Sequence, residues 1–522
     1  MQRVVLVVSG IATVIFLWVA VRLAAHERGG PPHVDIELDG GIPATFTLPG
    51  EGPDRSAFAI PKPREARPPA VALMHGIASD RAVLTTLSRR LAHAGYAVLS
   101  FDARGHGRNR NPMPRGFGRS DRFGADFAAA VDFLRTSPFV DGSRIAVMGH
   151  SMGAGAALDY ATRESGLDAA VLISGGWSTL GPYPPPNALF IYAEADSERT
   201  KRRSDAIAAR LAGVDPIVHD RLYGDVAHAS GVKVVEVANT DHTMIVATAR
   251  AAAAIIDWLD VVFAHPDREL DVLADPRQAL GVTAGLLLLL MLPGLGIVVG
   301  RIVEPVAKRP ASGGGFGLLT LAIAMVATAP LVANGPPTAL LPFDLGDVVI
   351  VQLLLTGLAV LTALAVRGEL DLGAVFRGPA KLASGALLST VAAYVLLQPL
   401  GIIAHSMALT PERVIGFVLA ALGLLPFSLA FQILLRRGSP AVACGFALAG
   451  RVLVIAALIA GVSAGVFSGV IALMIPAFAI AFLIFESLAF TIYATSGNLA
   501  TIAVAEAAWV ALIVASIMPM RI

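Results

Sequence analysis

The pentapeptide Gly149-His150-Ser151-Met152-Gly153 combines a nucleophile with the small residues needed to expose it. It follows an apolar run, Ile145 to Met148, and precedes an alanine-rich stretch, Ala154 to Tyr160. A strand that turns sharply into a helix leaves no room for side chains beside the turn, which is why Gly149 and Gly153 flank Ser151; such a turn lifts the hydroxyl above a sheet. A serine hydroxyl is a weak nucleophile at neutral pH and needs a base. His242, in Ala238-Asn-Thr-Asp-His242, stands just past one strand-like run. Asp196, in Ala193-Glu-Ala-Asp196, stands just past another, with Glu194 as the competing carboxylate. Both positions lie at the carboxyl ends of strands, where open α/β sheets place their sites. The chain order Ser, Asp, His then predicts a nucleophile, an orienting acid and a general base. Negative charge growing on an acyl oxygen needs backbone N–H donors. Met152, directly after the nucleophile, is one candidate, and Ile77 in His75-Gly76-Ile77 is the other, Gly76 permitting close approach of the backbone.

These residues need a scaffold, and the pattern around them supplies one. A hairpin is predicted from Val34 to Leu38, a turn at Asp39-Gly40-Gly41, and a second strand from Ala44 to Leu48. After a proline-rich loop, Pro61 to Pro69, apolar strand-like runs follow at 70–74, 96–101, 145–148, 169–173, 188–192 and 233–237. Helix-like stretches near 80–94, 120–136, 152–165, 200–212 and 243–260 separate them. Continuous apolar strands alternating with amphipathic helices predict an α/β unit whose parallel sheet is covered on both faces.

With these motifs in order, the segment from about residue 34 to 262 resembles an α/β-hydrolase of the serine esterase, lipase and dienelactone-hydrolase-like group. The resemblance rests on His75-Gly76, Asp102-Ala-Arg-Gly-His-Gly107, Gly149 to Gly153, and the later acid and base. It implies an α/β-hydrolase fold with Ser151, Asp196 and His242 as triad, Asp196 matching the family spacing better than Glu194. His75, His106 and His150 read as structural residues packing around the elbow and turns. One departure is the short segment Gly175 to Asn187, which leaves no room for the helical cap of many relatives. The loop Gly213 to Gly231 and the second half of the chain are expected to cover the site instead, with Trp177, Tyr183, Tyr223 and His228 as candidate pocket residues; His228 also reads as an ordinary loop histidine.

The rest of the 522 residues is chemically different. Overall the chain is 55% hydrophobic and only 15% charged, with a mean hydropathy of +0.69. Residues 281–522 hold 19 charged side chains in 242 positions, whereas the first 280 hold 60. The apolar run Val4 to Val21, framed by Arg3 and Arg22, is long enough for one bilayer crossing at about 1.5 Å per residue and reads as a retained anchor. Eight further spans are expected near 280–299, 316–333, 347–366, 382–404, 414–435, 441–462, 467–489 and 499–518, an all-α transmembrane bundle. If the N-terminus is cytoplasmic, the inner loops carry Arg301, Lys308, Arg309, Arg367, Arg377, Lys381, Arg436 and Arg437, and the outer segments only Arg413 and Arg521. By the positive-inside rule this places the N-terminus in the cytoplasm and the Ser151 domain outside, at what reads as a bacterial cytoplasmic membrane. Arg451, Glu486 and Glu506 fall inside spans, where a charge costs several kcal/mol unless paired, and are expected to form an ion-paired network or to line a polar cavity.

The expected division is an anchor over 1–30, the α/β unit over 31–265, a linker over 266–279 and the bundle over 280–522. A net charge of +1 with 7% aromatic residues argues against nucleic acid as a partner. The single Cys444 excludes an internal disulfide, no spacing for metal ligands stands out, and Gly313 to Gly317 lacks the Lys-Ser/Thr of a phosphate loop. No cofactor is expected. The expected activity is hydrolysis of carboxylic or thio esters of lipid-like or acylated amphiphiles. An acyltransferase with the same triad is the alternative, and a transporter or sensor with a hydrolase-like binding domain is a third.

Overall fold

The computed structural model describes residues 2–50, 67–113, 123–175, 180–265, 275–333, 340–401, 406–407 and 409–521. Two compact units divide the chain. The first contains Leu23–Gln278 with the short segments Ile402–Ala408 and Pro519–Ile522; the second contains Met1–Arg22, Ala279–Gly401 and Leu409–Met518.

The first unit is built on an eight-stranded sheet. Its strands are β1 (His33–Leu38), β2 (Ile42–Thr47), β3 (Ala70–Met74), β4 (Ala97–Phe101), β5 (Ile145–His150), β6 (Ala169–Ile173), β7 (Ala188–Ala193) and β8 (Val232–Val237). Their spatial order is β1-β2-β4-β3-β5-β6-β7-β8. β1 and β2 form the expected antiparallel hairpin, closed through Gly40 and Gly41 at φ +80° and +72°. β2 meets β4 antiparallel, and all later neighbours are parallel.

Five residues of β3 show why the parallel runs are apolar without a break. Ala70, Ala72 and Met74 face one core with Phe127, Leu134, Ala154 and Tyr160, while Val71 and Leu73 face another with Leu91, Ile255 and Trp258. A strand buried on both faces has no polar side to alternate with. The first core is roofed by α3 (Gly124–Thr136), α4 (Met152–Ala161) and α5 (Glu198–Ala212), the second by α2 (Thr85–His93) and α6 (Ala249–Val262). α1 (Gln2–Gly29) precedes them all. The α2 helix starts later than the expected residue 80, because residues Arg81–Leu84 form a tighter 3-10 turn whose Ala82 N–H is capped by Asp80.

The second unit is helical: α7 (Arg277–Ile302), α8 (Gly314–Ala333), α9 (Gly346–Val366), a short α10 (Leu372–Val375), α11 (Pro379–Gly401), α12 (Pro411–Leu435), α13 (Pro440–Ser463), α14 (Val470–Ser496) and α15 (Leu499–Ile517). Together with α1, nine helices among the described residues are long and apolar enough to cross a membrane. Small residues bring them close. A Cβ on Gly357 of α9 would fall 2.3 Å from the backbone nitrogen of Phe427 in α12, the close approach typical of membrane helices.

Two arginines counted above as loop charges are buried. Arg413 sits in the first turn of α12, fully buried, with Nη1 donating to the carbonyls of Ala515, Ser516 and Met518 at 2.6, 3.1 and 3.1 Å. Arg436 directly follows α12 and is likewise buried. Arg413 thus serves the end of α15, whereas Arg436 bonds the side chains of Gln432 and Glu486 inside the helical unit.

Candidate active site

Ser151 occupies the turn between β5 and α4 at φ +54° and ψ −112°, a backbone conformation that L-residues avoid and that persists only where the surroundings enforce it. The surroundings here are the two glycines. A Cβ on Gly149 would lie 2.1 Å from the carbonyl carbon of Gly153, and one on Gly153 would lie 2.4 Å from the carbonyl oxygen of Met74. No side chain fits at either position, so the strand passes into the helix without relaxing the angle at Ser151.

The loop after β8 brings His242 to this serine. Its Nε2 is 3.0 Å from Ser151 Oγ, and its Nδ1 is 2.6 Å from Asp196 Oδ1. The carboxylate accepts from Nδ1–H, which leaves Nε2 bare to accept the serine proton. Asp196, not Glu194, holds the ring; Glu194 instead accepts the Asn239 N–H at 2.7 Å. The second Asp196 oxygen accepts from Ser174 Oγ at 2.5 Å and from the Ala193 amide at 2.9 Å. Burial works against the charge on Asp196, but the bonds from His242, Ser174 and Ala193 outweigh it and hold the carboxyl below the usual range.

The donors expected for a developing oxyanion lie beside the nucleophile. Met152 is the first residue of α4, so its N–H is among the helix donors without an intrahelical acceptor. A Cβ on Gly76 would lie 3.2 Å from Ser151 Cβ, so the Gly76-Ile77 loop abuts the serine. His75 fixes that loop: its Nε2 accepts the Ala103 amide at 3.0 Å, and its Nδ1 therefore donates to the Gly76 carbonyl at 2.7 Å.

The candidate pocket residues are placed elsewhere. Tyr223 pairs with Val232 at the first residue of β8, and His228, exposed and 2.7 Å from Asp225, lies in the turn just before that strand. Tyr183 donates its N–H to the Thr162 carbonyl at the C-terminal end of α4 and precedes β7. All three therefore sit at the amino edge of the parallel strands, opposite Ser151. The 220–231 part of the loop expected to act as a cover runs along β8 from Asp220, bonded to Val234, toward this same edge. Residues that immediately precede a parallel strand enter it from that side, which corrects the expectation of a pocket and cover there. Trp177 lies outside the described residues.

In the helical unit the three charges within spans meet. Arg451 of α13 bonds Glu486 of α14 at 3.0 Å and also Glu506 of α15. Arg436 joins Glu486, and Gln432 donates to Glu506 at 2.6 Å. Gln432 also accepts from Arg436, so two arginines and two glutamates, closed through this glutamine, make a buried, charge-balanced ring, the form in which ions are tolerated away from water.

The strand order, the strained serine between β5 and α4, and the acid and base after β7 and β8 decide the fold family. This unit has the α/β-hydrolase fold. Residues 66–203 match a family described as serine aminopeptidase, S33. An uncharacterized protein of Mycobacterium tuberculosis (strain CDC 1551 / Oshkosh) is 29% identical over 225 residues, 41% of this chain and 76% of that protein. A thiohydrolase of Arthrinium phaeospermum is 40% identical over 78 residues, 15% of this chain and 24% of its own. Among solved structures, the dienelactone hydrolase of Anabaena variabilis is similar with a TM-score of 0.33 and 16% identity, over 46% of this chain and all of that one. The hydrolase unit thus carries a serine-hydrolase type of site. Ser174, which bonds the acid, carries one signal in the sequence, its position one residue past the run Ala169 to Ile173.

Proposed function

We propose that this chain is a membrane-integrated serine hydrolase that cleaves carboxylic or thio esters of lipid-like or acylated substrates. The observation that carries the reading is the hydrogen-bonded series Ser151, His242, Asp196 at 3.0 and 2.6 Å on a strained elbow. In the first half-reaction Ser151 Oγ attacks the carbonyl carbon, and His242 Nε2 takes its proton. The charge forming on the carbonyl oxygen is met by the Met152 and Ile77 amides. The tetrahedral intermediate collapses, breaking the bond to the alcohol or thiol, which leaves with the proton from His242. Water then repeats the cycle on the acyl-serine and releases the acid. No metal or cofactor enters these steps.

The lipid direction is supported by the apolar helices fused to the hydrolase unit, which would keep the enzyme at a bilayer, and the thioester option by the thiohydrolase relative. The unit faces the extracytoplasmic side in this reading. Removing the buried Arg413 and Arg436 from the loop count leaves Arg301, Lys308, Arg309, Arg367, Arg377, Lys381 and Arg437 against Arg521 alone, so the bias keeps its direction.

The match to a serine aminopeptidase family favours a second reading, cleavage of an amide at a peptide N-terminus by the same residues. Purified chain in detergent micelles tests both, with p-nitrophenyl esters of two to sixteen carbons compared with aminoacyl-naphthylamides. Ester turnover that rises with chain length and vanishes in Ser151→Ala supports the first reading; faster release of naphthylamine supports the second. Acyl transfer to an added alcohol faster than hydrolysis would instead identify an acyltransferase.

A further inference from the structure

The histidine beside the nucleophile does more than fill space. His150 ends β5, is 7% exposed, and its ring centroid lies 5.1 Å from that of His242. Its Nε2 is 2.7 Å from the main-chain oxygen of His242. A carbonyl oxygen only accepts, so His150 carries its proton on Nε2 and leaves Nδ1 bare. Burial, and then the neighbouring His242, push the His150 pKa down from 6.5 to about 3. The ring is therefore neutral at ordinary pH, and a second proton does not compete for the site.

The two partners of the catalytic hydrogen bond have unequal support. Ser151 is held by a strand, a helix and two glycines that admit no side chain. His242 sits on a loop whose neighbours Asn239, Asp241, Thr243 and Met244 are exposed. That loop is tied by Asn239 to Glu194, by Thr240 to Ala195, and by the Asp241 side chain to the amides of Thr243 and Met244. Its contact to the serine is a single 3.0 Å bond. Because His150 is the chain neighbour of Ser151, a bond from its side chain to the backbone of His242 refers the base to the same rigid turn that carries the nucleophile.

We infer that His150 is a positioning residue, its Nε2–H bond to the His242 carbonyl setting the distance between base and nucleophile. The inference rests on the triad reading above. Displacement of a catalytic group by about 1 Å costs on the order of 100-fold in rate, and the loss is expected on kcat because a misplaced base slows the proton transfer itself.

The test compares His150→Leu, which removes the donor, with His150→Gln, whose amide N–H reaches the position of Nε2. Full-length chain in detergent is assayed with p-nitrophenyl butyrate and with a fluorophosphonate, whose reaction rate reports serine activation without knowledge of the natural substrate. The Leu variant is expected to lose on the order of 100-fold in kcat and in fluorophosphonate rate with KM changed less than about threefold, and the Gln variant to recover to within about tenfold of wild type. His150→Asn, too short to reach the carbonyl, is expected to behave as Leu and replaces it if Leu does not fold. A Leu or Asn variant within twofold of wild type overturns the inference, as does a Gln variant that loses as much as Leu while melting like wild type. Labelling that persists in Ser151→Ala refutes the triad itself, whereas Ser151-dependent labelling with no effect at His150 refutes only the positioning role.

Discussion

Replacing Asp196 by Asn exchanges one oxygen for an NH2 group at little change in volume, yet the geometry predicts a severe loss. One carboxylate oxygen faces His242 Nδ1 at 2.6 Å; the other faces Ser174 Oγ at 2.5 Å and the Ala193 amide at 2.9 Å. The Ala193 N–H can only donate, so the asparagine oxygen must take that side and its NH2 group must face His242. The imidazole then accepts at Nδ1 and carries its proton on Nε2, pointing at Ser151 Oγ, where it no longer works as a base. A wrong tautomer of this kind costs about 10⁴-fold in kcat, or about 5 kcal/mol of barrier at roughly 1.4 kcal/mol per factor of ten. The assay is p-nitrophenyl butyrate hydrolysis by detergent-solubilised protein, with Ser151→Ala as the floor and a melting curve to show that the fold is retained. An Asn variant within tenfold of wild type, or one changed only in KM, would refute the assignment of Asp196 as the orienting acid.

Other consequences can be measured in the same preparation. His150 has its pKa lowered from 6.5 to about 3 in the folded chain, so the unfolded chain binds the extra proton between these values and its stabilising contribution, complete above pH 6.5, is lost as the pH falls. From pH 6.5 to 5 this amounts to about 2 kcal/mol, with Asp196, His242 and His75 as the charged or titratable neighbours. The melting temperature of the hydrolase unit is expected to fall over that range and to fall less in His150→Gln; equal slopes would contradict it. Tyr223→Phe and His228→Ala, at the amino edge of the sheet, are expected to leave kcat/KM within twofold, and a tenfold loss would reinstate them as pocket residues. Glu506→Gln unbalances the buried ring with Arg451 and is expected to destabilise the helical unit by about 3 to 5 kcal/mol in thermal denaturation in detergent. An unchanged melting temperature would show that the ring is not structural.

The legible parts of this chain share a physical reason. Strands buried on both faces must be apolar throughout, so Ala70 to Met74 and Ala169 to Ile173 stand out as continuous runs. The grouping of Ser151, Asp196 and His242 is legible because each follows such a run, and the elbow because its two glycines are sterically required. The long helices of the second unit are legible because they are apolar almost throughout, and α8, α9, α12 and α13 begin and end within a few residues of the expected limits. What is missed depends on distant contacts. The partnership of Ser174 with Asp196 and that of His150 with the His242 carbonyl span 22 and 92 positions, and no local pattern announces them. Tyr183, Tyr223 and His228 fail for a different reason, since each precedes a strand and enters the sheet at the wrong end. Arg413 and Arg436 look like loop charges because a helix end and a loop have the same composition; only packing against carbonyls or glutamates tells them apart.

The central claim is that Ser151 is an activated nucleophile on the outer side of a membrane. Labelling intact cells that produce the chain with a membrane-impermeant fluorophosphonate tests both halves at once, with Ser151→Ala and lysed cells alongside. A labelled band from intact cells that disappears in Ser151→Ala is the expected result. A band that appears only after lysis would contradict the orientation, and no Ser151-dependent band under either condition would contradict the hydrolase mechanism itself.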